Sequence, residues 1–145
     1  MKRTGIIAVV VAGSLMAAGA ARAEDAASQS AAQAQAKTAA TIWLAMLDQG
    51  NYTAGWDSAA AALKAAVTKE QFERSLNAAR TPLGQLVTRQ LSSVTSAADL
   101  PGAPDGEYLI IQYATTFTSK QSAVETLTAQ HEANGAWRVV GYYIK

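Results

Sequence analysis

At Pro82-Leu83-Gly84 the sequence changes its period, and that change restricts the chain to folds that keep helices and strands apart. Before it, apolar residues recur every three or four positions; after it, runs rich in Val, Ile, Thr, Tyr and Phe alternate with turn residues. Most of the 33 alanines lie before residue 80, which favours helix on that side. The expected class is α+β: three N-terminal helices packed on a four-stranded antiparallel sheet, cone-like in form. A chain of 145 residues without internal repeat makes one such domain.

The first helix carries Ala36, Ala40, Trp43 and Leu47 on one stripe, widened by Ile42, Leu44 and Met46, and Gly50 stops it. After a polar connection at residues 51–53, Trp56, Ala60, Leu63 and Val67 repeat the spacing and predict a second helix. Thr68 with Gln71 forms a capping box for the third, and Val67 with Phe72 occupies the positions of a hydrophobic staple. Phe72, Leu76 and Ala79 form its buried edge. Pro82 disfavours helical geometry at Thr81, so this helix ends at Arg80 or Thr81.

Strands are expected over residues 85–95, 107–118, 121–133 and 136–144, with a Pro-Gly loop around residues 99–106. Asn134-Gly135 signals a type I′ hairpin turn, which places Glu132 opposite Trp137 and His131 opposite Arg138. In that register Trp137, Val139 and Tyr143 share a face with Thr126, Thr128 and Gln130. The other face gathers Arg138, Val140, Tyr142 and Ile144 with Glu125, Leu127, Ala129 and His131. Neither is purely polar, although one face of such a sheet normally meets water. The expectation is therefore a homodimer through the sheet, the alternative being scattered surface apolar residues.

The N-terminus reads as a targeting segment. Met1-Lys2-Arg3 is basic, residues 6–20 carry no charge, and Ala21-Arg22-Ala23 offers small residues at the positions a signal peptidase reads. The uncharged run is shorter than the roughly 20 apolar residues a span requires. The expected organisation is a signal peptide at 1–23, a mobile Ala/Gln/Ser-rich segment at 24–35 and a single domain at 36–145, located in the periplasm or secreted, with no membrane span after cleavage. Removal of Lys2, Arg3 and Arg22 leaves nine basic against eleven acidic side chains, a formal charge of −2. The nominal pI near 8.0 thus belongs to the leader and does not argue for nucleic acid. With no cysteine, the chain is neither disulfide-stapled nor acylated on a cysteine.

Candidate chemistry is sparse. The sequence after the leader holds no G-x-S-x-G elbow, no G-x-x-x-x-G-K loop and no G-x-G-x-x-G fingerprint. Asp99, Asp105 and Glu107 cluster near the Pro-Gly loop but lack the alternating oxygen ligands of a calcium loop, so neither metal nor cofactor is expected. Asp48, Glu125 and His131 are the candidate acids or bases, with Tyr52 or Tyr142 as hydrogen-bond donor. His131 has no second His or Cys to join it, and Arg138 or Glu132 as neighbours suffice for a structural role. Arg80, Arg89, Arg138, Tyr142 and Ile144 are the ligand or interface candidates. Arg80 and Arg89 also admit structural roles, Arg80 at a helix C-terminus and Arg89 paired with Glu125 or a neighbouring carboxylate. Trp43 and Trp56 fall on helical stripes and are assigned to the core.

The ordered set Trp43-Leu44, Asp48-x-Gly50-x-Tyr52-x-x-x-Trp56, Arg80-x-Pro82-Leu83-Gly84, Arg89, Leu100-Pro101-Gly102-x-Pro104-Asp105-Gly106-x-Tyr108, Phe117, Lys120, Glu125-Thr126 and Asn134-Gly135-x-Trp137-Arg138-Val139-x-Gly141-Tyr142 resembles the bacterial exported domain-of-unknown-function family 4019. The resemblance runs from about Ala36 onward and implies a domain without implying a mechanism. At the level of fold, the pattern is similar to nuclear-transport-factor-two-like and cystatin-like domains, which host enzymes, binding modules and scaffolds alike. The functional expectation is an exported, non-catalytic module that binds an unknown small molecule or protein. The alternative is a small enzyme with its pocket inside the cone, using a carboxylate or His131.

Overall fold

Thr68 begins a helix as its neighbours require. In the computed structural model, which describes residues 17–145, its hydroxyl accepts from the Gln71 backbone N–H at 3.2 Å while the Gln71 side chain accepts from the Thr68 N–H at 3.0 Å. Both donors are ones that a helix start leaves free. The helix Lys69–Arg80 gives way to a 3-10 turn, Thr81–Leu83, and then to Gly84 at φ 77°. A Cβ there would lie 2.0 Å from the Thr118 hydroxyl oxygen in a strained backbone conformation, so glycine suits this turn on two counts.

The elements run α1 (Ala17–Asp48), α2 (Tyr52–Asp57), α3 (Ala61–Ala66), α4 (Lys69–Arg80), β1 (Leu86–Ala97), β2 (Tyr108–Phe117), β3 (Lys120–His131) and β4 (Trp137–Ile144). The strands form one antiparallel sheet in the order β1-β2-β3-β4, and the class is α+β. The chain divides into units Met1–Ala31 and Ala32–Lys145. In the first, residues 19–31 are helical and exposed; the signal-peptide expectation for 1–23 falls mainly outside the described residues. Residues 24–35, expected as a mobile segment, are helical throughout, because Ala and Gln favour helix without needing a buried face. No helix among the described residues is long and apolar enough to cross a membrane.

Among the described residues four α-helices replace the expected three. The period Trp56, Ala60, Leu63, Val67 predicts one helix, yet the chain breaks at residues 58–60. The Ser58 hydroxyl donates back to the Ala54 carbonyl at 2.7 Å, and Ala60 turns extended (φ −60°, ψ 149°). Its N–H then donates to the Val139 carbonyl of β4 at 2.8 Å. A bond to the sheet edge takes the place of helical continuation.

The predicted stripe of α1 is buried at Ala36, Ala40, Trp43 and Leu47, while Ile42 is 55% exposed and does not widen it. These residues pack with Phe72 and Leu76 of α4 against Leu109, Ile111 and Tyr113 of β2, Leu127 and Ala129 of β3, and Trp137 and Val139 of β4.

The β3–β4 hairpin departs from its expected register. Glu132 N–H donates to the Ala136 carbonyl at 2.8 Å and Gly135 N–H to the Glu132 carbonyl at 2.9 Å, so the loop has three residues with only Gly135 at positive φ. His131 therefore pairs with Trp137 and Ala129 with Val139, which turns Trp137 and Val139 to the side of Leu127. Val140 then lies extra in the ladder, as a bulge, and beyond it Leu127 pairs with Tyr142 and Glu125 with Ile144. Val139 and Tyr142, three residues apart, consequently share one face.

That face meets the helices, since the Tyr142 ring stands edge-on to Trp43 at 5.3 Å between centroids. The dimer expectation counted Tyr142 among the residues of an open sheet face; Tyr142 instead packs against the helices. By the pairing, the opposite face presents Thr88, Gln90, Gln112, Thr116, Thr126 and Thr128 together with Ile110, Val124 and Tyr143, so it is mixed rather than purely polar.

Candidate functional site

Six elements send one polar side chain each to a common point. Asp48 is the last residue of α1 and Arg80 the last of α4; Arg89 comes from β1, Thr115 from β2, Glu125 from β3 and Tyr142 from β4. Arg89 and Thr115 are cross-strand partners, so both point to the face that carries Glu125. The β4 bulge brings Tyr142 to the same face.

Glu125 is fully buried, with side-chain exposures of 5% for Arg80, 13% for Arg89 and 18% for Asp48. Its Oε1 accepts from Arg89 Nε at 2.6 Å and from the Thr115 hydroxyl at 2.6 Å. Its Oε2 accepts from Arg89 Nη2 at 3.1 Å and from the Tyr142 hydroxyl, with Arg80 Nη1 at 3.9 Å. A carboxylate has about four lone-pair directions, and all of them are taken. Asp48 accepts from Arg80 Nη2 at 2.6 Å and from Arg89 Nη1 and Nη2 at 2.7 and 2.9 Å. Arg80 also lies over the Phe117 ring, 5.3 Å from its centroid. Two guanidinium and two carboxylate charges cancel, and among the described residues no buried side-chain nitrogen or oxygen lacks a partner.

The electrostatics follow from these contacts. Burial raises the Asp48 carboxyl, but the Arg89 and Arg80 hydrogen bonds and charges outweigh it and hold its pKa below the ordinary 3.8. Burial disfavours the Arg89 cation, yet Asp48 and Glu125 keep it charged throughout the accessible pH range. Burial, then the Glu125 charge beside it, pushes the Tyr142 phenol well above its ordinary 10.0, so it stays a donor. A depressed carboxyl contributes stability that is present above its unfolded pKa and is lost as pH falls through the folded value. Unfolding free energy should therefore decline as pH drops below about 3.8, and Asp48→Asn should flatten that decline; urea titrations between pH 5 and pH 2 measure it.

The cluster unites Asp48, Glu125, Arg80, Arg89 and Tyr142 from the sequence candidates and leaves out His131, Arg138, Ile144 and Tyr52. His131 contacts the Glu107 carboxylate at 2.9 Å and the Gly135 carbonyl at 3.2 Å, and stacks on Trp137. Its neighbours are thus not the expected Arg138 and Glu132, which pair with each other at 3.1 Å. Ile144 is half-buried at the end of β4, and Tyr52 packs half-buried against the core. Thr115 escaped notice, although the alternation Leu109, Ile111, Tyr113, Thr115, Phe117 places it on the interior face.

A search of curated proteins gave no match, and a search of solved structures gave none. The family model described as "Protein of unknown function (DUF4019)" matches residues 39–142, an interval that includes all six residues of the polar cluster. On that match, which extends over most of the sequence, the chain belongs to the DUF4019 family.

Proposed function

We propose that the chain is an exported, non-catalytic binding or interaction module of the periplasm or the extracellular space, whose polar cluster is a clamp joining helices to sheet. The observation that supports this reading is the saturation of Glu125. To act as a base it would have to surrender a bond from Arg89, Thr115 or Tyr142. His131, the other candidate base, lies at the hairpin end with its ring nitrogens turned to Glu107 and Gly135.

Two measurements test the reading. The exported protein should have an intact mass that begins at Glu24, and recovery of membrane-bound protein retaining Met1 overturns export. The purified protein should turn over none of a panel of ester, phosphoester, glycoside and peptide substrates. Turnover that disappears in a folded Glu125→Gln variant overturns the non-catalytic assignment.

A further inference from the structure

Beside the charged cluster, with which it shares Tyr142, α1, α3, α4 and β4 line a half-open cavity of about 150 Å³. Its walls include Trp43, Leu63, Val67, Phe72, Leu76 and Tyr142. Close-packed proteins leave few apolar recesses larger than a water molecule, and one of this volume has room for a guest the size of benzene or xenon.

The lining states what such a guest must be. Three of its side chains, those of Trp43, Tyr142 and Ser75, carry nitrogen or oxygen. The Trp43 indole N–H donates to the Gly55 carbonyl at 2.8 Å, and the Tyr142 hydroxyl donates to Glu125. Only Ser75, exposed on α4 at the cavity rim, remains to meet a polar atom of a guest. A charged guest would lose its hydration without gaining a partner. Beyond the Tyr142 hydroxyl, Arg80 and Glu125 belong to the charge-balanced cluster and offer no net charge to attract an ion of either sign.

The rings are set for aromatic contact. Trp43 stands edge-on to Phe72 at 6.2 Å and to Tyr142 at 5.3 Å between centroids. The α3 side of the cavity is the lightly held one: that helix has no side-chain cap and no fully buried residue, and it is tied at its start by the Ala61 N–H donating to Glu132 at 2.8 Å.

We infer that this cavity is the binding site of the module and that it takes a neutral, apolar small molecule of about one aromatic ring. The inference rests on the reading of the chain as a binding module and adds to it a place and a ligand class.

Benzene is the probe. Added to isotope-labelled protein, it should shift the Trp43 indole N–H resonance saturably. Ser75→Trp, an exchange at an exposed helix position that plugs the rim, should weaken binding at least tenfold. Benzoate and benzylamine should bind at least tenfold more weakly than benzene. Crystals under xenon pressure should show density between Trp43 and Leu63, a readout that needs no variant. Absence of saturable shifts, benzene affinity unchanged by a folded Ser75→Trp, charged analogues binding as well as benzene, or an empty cavity under xenon each overturns the assignment. Failure of the parent reading shows itself in substrate turnover or retained Met1, so the two failures are distinguishable.

Discussion

Replacing Glu125 with glutamine should lower the unfolding free energy by about 3 to 5 kcal/mol, against about 0 to 1 kcal/mol for an exposed pair. The size follows from burial. Glu125 is fully enclosed, and glutamine keeps the shape while removing the charge that balances two guanidinium groups. Its amide also places a donor where Arg89 or Tyr142 already donates. Denaturant unfolding of the wild type and the variant measures the difference. A loss below about 1 kcal/mol shows that water screens the cluster and withdraws the clamp.

Arg89→Met should be as damaging, since Arg89 bridges both carboxylates and its removal leaves Glu125 with two hydroxyl donors and Arg80 only at 3.9 Å. The loss expected is again about 3 to 5 kcal/mol. Adding Glu125→Leu to Arg89→Met should return part of it, because a buried ion pair exchanged for apolar groups is often neutral while half a pair is not. Asp48 and Arg80 still pair in that double variant at 2.6 Å. Losses that simply add in the double variant remove the coupling on which the clamp depends.

These effects were partly legible in the sequence. The α4 cap and its stop were written in Thr68, Gln71 and Pro82, because their bonds are local. Arg89 and Glu125 were recognisable as a cross-sheet pair from opposite charge on strands of one sheet, although β2 lies between the two. Their convergence with Asp48 and Arg80 was not, since two helix ends meet a sheet only through the packing of their apolar faces. The break at Ala60 left no local mark either: no glycine or proline stands there, and its cause is the Val139 carbonyl, 79 residues on. Asn134-Gly135 announced a hairpin correctly but not its length, as glycine at positive φ serves a three-residue loop as well as a two-residue one.

The bulge at Val140 leaves the end of the chain with a near-degeneracy that the fold has to resolve. If Val140 entered the ladder, each later residue of β4 would move one step, and Tyr143 in place of Ile144 would stand opposite Glu125, turning Tyr143 rather than Tyr142 to the face of that carboxylate. The adjacent tyrosines make the two hairpins near-twins at the buried carboxylate. What separates them is Gly141, which in the flat form would replace the Tyr142 ring opposite Leu127 and leave Trp43 facing a void. A residue without a side chain thereby selects one ground state from two, by making the competitor hollow rather than by stabilising the winner.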